Sequence, residues 1–294
     1  MEINEKTTTS KANFHLAGIV PVAGGRTDLE FPFPDTMLPI ANDYTLLDAA
    51  VVECAYAGCD TIWIVCNDDT APLLRHRIGD YIEDPSYYYY NTSANREYRK
   101  RIPIFWVPQH PKDRDKRDCL SWSVIYGALS CLKIASKISK WIIPDKYYVS
   151  FPYGLMNPRD LMPSRRLISS RDNFYVMSEN RTVQDNIYSS FTFGKDEFIK
   201  YRRNVRKGTG QWKGDYGSME KIPIEQRWSA RFFEPKDVFT DLDLSDSNLL
   251  ITDTFFNLTN WEEYRVYMNS DYSKEIVKPP GDLFSYKEFH GVAT

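Results

Sequence analysis

The chain has 294 residues, of which 42% are hydrophobic and 26% charged, enough to bury a sizeable core as one large domain or two small ones. A net charge of −3 argues against a general nucleic-acid binder, which carries a basic excess. Five cysteines, an odd number with no C-x-x-C pair, argue against a disulfide framework or a zinc knuckle. The start, "MEINEKTTTSKANFH", lacks an apolar signal core, and no apolar run nears the roughly 18 residues needed to span a membrane. The reading is a soluble, cytoplasmic protein with reduced thiols and no membrane partner.

In chain order, Phe14 to Val22 reads as a buried strand that stops at Gly24-Gly25. Leu46, Leu47, Ala50, Val51 and Cys54 follow at helical spacing, with Thr45 and Asp48 placed to cap the helix and Gly58 to end it. Thr61 to Cys66 is the next strand. Thr70 opens a second helix, with Pro72 in its first turn and Leu73, Leu74, Ile78 and Ile82 on one face. Ile102 to Val107 is a third strand, Gln109 to Asp118 a charged loop, Cys119 to Ser136 a third helix and Lys146 to Phe151 a fourth strand. Strands alternating with helices imply parallel pairing, helices on both faces and ligands beyond the carboxyl ends of the strands. Further on, "NFYVMSE", "IYSSFTFG" and "NLLITDTFFNLT" read as strands. Lys195 to Lys207 reads as a basic helix, and "NWEEYRVYMNS" as a helix capped by Asn260. Residues 1–270 are expected to form one domain and residues 271–294 an extended C-terminal arm.

Three pieces of the first sixty residues stand in a telling order: Val22-Ala23-Gly24-Gly25, then Pro34-Asp35-Thr36-Met37-Leu38-Pro39, then Ala57-Gly58-Cys59-Asp60-Thr61-Ile62. With Val107-Pro108-Gln109 and "FNLTNWEEY" they resemble the nucleotidyltransferases that make nucleotide sugars. The resemblance covers about residues 14 to 151, then Leu249 to Tyr264. It implies a three-layer α/β sandwich with a mostly parallel, doubly wound sheet of the nucleotide-diphospho-sugar transferase type. It also implies a nucleoside triphosphate or nucleotide sugar as ligand, a small-molecule acceptor such as a sugar phosphate, and Mg²⁺.

Nucleotidyl transfer needs glycine amides to hold phosphates, a lysine to neutralise charge at phosphorus and carboxylates to hold the metal. By the resemblance, Ala23, Gly24, Gly25 and Arg26 would bind the nucleotide and Gln109 would face the base. The family's lysine is here Asp35, its strand-end acid falls at Tyr153, and its closing metal acid falls at Asn257. Arg26 and Asp35 are the candidate catalytic positions, and Asn257 the candidate metal position. Asp28, Glu30 and Asp35 offer a replacement metal set, and Lys112 and Arg114 replacement cations.

Three readings stay open: a nucleotidyltransferase, a catalytically degenerate fold serving as a binding, structural or assembly module (a homo-oligomer included), and a nucleotide-sugar-dependent glycosyltransferase. The last wants an Asp-x-Asp metal motif, and Asp241-Leu242-Asp243 falls in an expected surface loop. Lys195, Lys200, Arg202, Arg203, Arg206 and Lys207 read as a solvated helix face, with contact to nucleic acid or an acidic partner, helped by Tyr201 and Trp212, as the sharper alternative. Tyr87 to Tyr90 reads as rings packed on the sheet or a neighbouring subunit. Cys119 and the four histidines read as structural.

Overall fold

Short, fully apolar runs make strands buried on both faces, and here they assemble the centre of one sheet. In the computed structural model, residues 14–25, 27–86, 100–138, 143–208, 212–213, 220–221, 223, 231, 233–244, 248–276 and 284 are described. Strand β1 (Leu16–Pro21) is buried along its whole length. A hairpin of β2 (Pro39–Ala41) and β3 (Tyr44–Thr45) leads into helix α1 (Leu46–Ala57). The Thr45 side chain accepts from the Asp48 amide, the Asp48 carboxylate accepts from the Thr45 amide, and Gly58 at φ 89° ends the helix. Every residue of α1 except Ala49 is buried, because the helix is covered by the sheet and by a 3₁₀ turn at Pro158–Leu161.

Next come β4 (Thr61–Cys66), α2 (Ala71–Ile78), β5 (Tyr81–Glu83), β6 (Arg101–Pro108), α3 (Pro111–Arg117), α4 (Leu120–Ile138) and β7 (Lys146–Val149). They are followed by β8 (Gly154–Met156), α5 (Arg165–Ile168), β9 (Tyr175–Met177), β10 (Phe191–Phe193), α6 (Lys195–Gly208), β11 (Trp212–Lys213), β12 (Glu220–Lys221) and α7 (Pro235–Val238). The last elements are β13 (Leu249–Ile251), β14 (Phe255–Asn257), α8 (Trp261–Asn269) and α9 (Asp271–Glu275).

The main sheet runs β13-β9-β10-β7-β1-β4-β6-β5. Its centre, β7-β1-β4-β6, is parallel, whereas β10 and β5 join antiparallel. This is the expected α/β sandwich with a mostly parallel sheet. The chain leaves β1 through α1 toward β4, but returns from β6 through α4 to the other side of β1. Right-handed crossovers in opposite directions put these helices on opposite faces and open a crevice beyond the carboxyl ends of β1 and β7.

Several expectations are corrected. Ile82 is not on the second helix: Gly79, at φ 85°, ends that helix, and Ile82 pairs with Ile102 as an edge strand. Leu73 points outward, 46% exposed. The charged loop is helical, because Pro111 suits a first turn and His110 Nδ1 caps it by accepting from the Lys112 amide at 3.1 Å. The apolar run after Asn248 is two strands, broken where the Thr252 hydroxyl closes a turn with Thr254. The segment from Asp271 begins as a helix capped by Ser270, and most of the expected C-terminal arm lies outside the described residues. Tyr201 is fully buried against Phe193 and Phe239, so it takes no part in any surface contact of the basic helix. The Tyr87 to Tyr90 run and the Trp212 side chain lie outside the described residues.

At the centre of the fold, α1 carries the buried Glu53, whose carboxylate accepts from Tyr148 Oη on β7 (2.8 Å) and from the Ser190 hydroxyl. Burial raises this carboxyl from 4.5 to about 7, and the two hydroxyl donors offset only part of that. Between these values the folded chain holds a proton here that the unfolded chain releases, so the contribution of this group to stability is fully present below about pH 4.5 and is lost as pH rises through about 7. Urea unfolding of Glu53→Gln is expected to lose that slope and to gain on the order of 2–3 kcal/mol over the parent at pH 8.

Candidate functional site

A cleft of about 240 Å³ opens at the crevice between β1 and β7. The chain leaves β1 in a tight bend because the Val22 and Ala23 amides both donate to Val65 O, at 2.8 and 2.9 Å. The Ser123 hydroxyl in the first turn of α4 then donates to Ala23 O at 2.6 Å. Gly24 sits at φ 75°, and a Cβ there would overlap the backbone of Cys119. A Cβ on Gly25 would overlap the hydroxyl of Tyr153. Both glycines are thus required by contacts within the protein itself, with no phosphate in place.

Tyr153 leaves the end of β7, is 3% exposed and still lines the cleft. Burial, and then the nearby Asp35, push its phenol far above the usual range, so it is neutral. Asp35 opens a 3₁₀ turn, Asp35–Met37, and its carboxylate accepts from the Thr27 hydroxyl. The closing segment is fastened here too: Leu258 N donates to Tyr153 O (2.7 Å), and Asp28 N donates to Thr259 O (2.9 Å).

The charge of the cleft is negative. Asp35 and Asp118 line it, and no lysine or arginine does so among the described residues. Arg26 lies outside the described residues. Arg114 is held outside by Asp68 and Asp69, Arg117 stacks 4.6 Å over Trp122, and Lys112 is exposed on α3. Sequence reasoning missed Thr36 and Asn67, which also line the cleft; Thr36 Oγ1 and Asn67 Oδ1 are buried without a hydrogen-bond partner. Their one signal was position, in the loop after β1 and at the carboxyl end of β4.

The remaining predicted site residues are not gathered here. Gln109 N donates to Cys66 O (2.8 Å); the residue is 1% exposed, is not among those lining the cleft, and both its amide atoms lack partners. Asn257 on β14 lines a different cavity of about 240 Å³, and its Oδ1 accepts from Tyr188 N at 3.0 Å. Asp28 and Glu30 are exposed, and Asp241 accepts from Asn204 at 3.0 Å in a turn after α7. No group of three or more His, Cys, Asp or Glu side chains able to hold a metal occurs among the described residues. A phenol and an engaged amide are poor substitutes for the two acids that hold Mg²⁺ in the transferases. The residues present therefore do not fit that ion.

No protein-family profile matches the chain, and no curated protein matches it. Solved structures do. A UDP-glucose pyrophosphorylase complexed with UDP-glucose superposes with a TM-score of 0.52 at 14% identity, over 89% of this chain and 100% of that one. A Bacillus anthracis protein assigned as a glucose-1-phosphate thymidylyltransferase, in complex with sucrose, superposes with a TM-score of 0.51 at 9% identity, over 89% and 96% of the two chains. The chain has the nucleotidyltransferase fold.

Because each glycine meets a different neighbour, the two respond differently to substitution. Gly24→Ala is expected to cost at least about 2 kcal/mol in urea unfolding, with or without nucleotide, because backbone cannot give way and φ is positive. Gly25→Ala should be destabilising too, but partly rescued by adding Tyr153→Phe, which removes the overlapping oxygen. Equal behaviour of Gly25→Ala in both backgrounds would contradict the packing described.

Proposed function

We propose that the protein is a nucleotidyltransferase fold that has lost nucleotidyl transfer and serves as a binding protein for a nucleotide or nucleotide sugar. One observation carries this reading: the neutral Tyr153 phenol is packed on Gly25 at the strand end where the transferases need a metal-binding acid. Asp35 stands where they need a lysine. Loss of one electrostatic stabiliser commonly costs about 10²–10³ in rate, roughly 2.7–4 kcal/mol. Losing the acid and the lysine together, even without additivity, abolishes useful turnover.

Binding is supported by polar groups left open in and around the cleft. The Thr36 hydroxyl, Asn67 Oδ1 and the Gln109 amide are buried without partners, and each such group costs about 1–3 kcal/mol until a ligand or water satisfies it. A protein of this fold binds UDP-glucose, which supports the ligand class. The carboxylates of Asp35 and Asp118 repel phosphates, so affinity comes from the nucleoside or sugar end and stays modest.

Calorimetry with UTP and UDP-glucose tests this. Affinity is expected to change by less than about threefold when Mg²⁺ is removed, with no pyrophosphate released from UTP and a sugar phosphate. Asp35→Asn should bind UTP about tenfold more tightly, since it removes one repelling charge. Metal-dependent pyrophosphate release, or weaker binding by Asp35→Asn, contradicts the proposal. No binding of either nucleotide at millimolar concentration would leave the fold as an assembly module.

A further inference from the structure

A second cavity, of about 200 Å³, lies beside β8 and shares no lining residue with the cleft. It is walled by β3, α1, the turn after β8 and α9. Three phenol rings face it, Tyr44, Tyr56 and Tyr272, the first two buried. Tyr272 is fixed in place, its hydroxyl donating to Met156 O at 3.0 Å. Tyr44 is only 2% exposed and its side chain borders the cavity. A phenol hydroxyl at a cavity wall can both donate to and accept from a ligand.

Exposure divides the rest of the lining. Leu155 and Met156 are buried and make an apolar inner wall, whereas Arg159 and Glu275 are exposed and stand at the mouth, with Asn157 half-buried between. One fixed positive and one fixed negative charge leave the mouth without net charge, which favours a neutral ligand over a phosphate or a cation. Carboxylate, guanidinium and amide are each planar and present two polar atoms side by side, a spacing that matches neighbouring hydroxyl groups. Phenol rings present flat apolar faces against which the C–H face of a saturated ring packs. The volume sets the size. A cavity of roughly 150 Å³ accommodates benzene, so this one takes a six-membered ring with small substituents.

We propose that this cavity binds a neutral ring polyol of monosaccharide size, a pyranose or a cyclitol, with its C–H face on the tyrosine rings and hydroxyls bonded to Tyr44, Asn157, Arg159 and Glu275. The site stands on its own residues, so it holds whether or not the cleft binds nucleotide.

Methyl-labelled NMR of the full chain, titrated with glucose, galactose and myo-inositol, tests it. Saturable shifts are expected at the Ala49, Leu155 and Met156 methyls, with those of Ala23 and Thr36 in the cleft unmoved. For a ligand of this size the expected Kd is about 1–20 mM. Tyr44→Phe, which keeps the ring, should weaken binding about fivefold or more with little change in melting temperature. Should that variant lose its fold, Glu275→Gln at the exposed mouth is expected to weaken binding about threefold without a change in melting temperature. The proposal is overturned if no polyol moves the cavity methyls below about 50 mM. It is equally overturned if only cleft methyls move, if both folded variants bind as the parent does, or if a zwitterion such as phenylalanine fills the cavity where polyols do not.

Discussion

The bend that follows β1 is held between two fixed neighbours, the backbone of Cys119 on one side and the phenol of Tyr153 on the other. Much of the crevice depends on that clamp. Tyr153 O in turn receives Leu258 N, the Asp28 amide reaches Thr259 O, and Ser123 holds Ala23 O, so four distant parts of the chain converge on one turn. In a phosphate-binding protein the same glycines would leave room for a ligand. Here a Cβ on either glycine would meet a side chain or a neighbouring loop, while both glycines still line the cleft.

Charge follows the same logic. Arg77 bridges Asp43 and Asp48, Arg75 pairs with Asp80 and Arg114 with Asp68, so these arginines are bound to acids of this chain. The cleft keeps the acids Asp35 and Asp118. Lys146, buried at the start of the interior strand β7, donates to carbonyls of Ile168, Ser170 and Asp172, and burial lowers it to about 8. Its task is to cap the end of α5, far from any phosphate chemistry.

Buried polar atoms without a hydrogen-bond partner occur both around the cleft and away from it. In the cleft region these are Thr36, Asn67 and Gln109. Others lie away from it, among them the hydroxyls of Ser150, Ser189 and Tyr201 and Trp122 Nε1, whereas Glu53 is paired with Tyr148 and Ser190.

The sequence by itself determined the central strands, the Thr45–Asp48 cap, the Gly58 stop and the α/β class, because hydrophobic period and capping chemistry act between residues close in the chain. It also showed that the expected lysine is Asp35, since a substitution inside a motif is visible in one dimension. Only the tertiary structure decided that Tyr153 packs on Gly25 and that Gln109 is buried and absent from the cleft lining. It alone put Asn257 in another cavity and made Tyr201 core rather than surface. Those outcomes depend on contacts between residues tens to hundreds of positions apart, which pairing of β1 with β7 and of β8 with β14 brings about, and no local pattern encodes them.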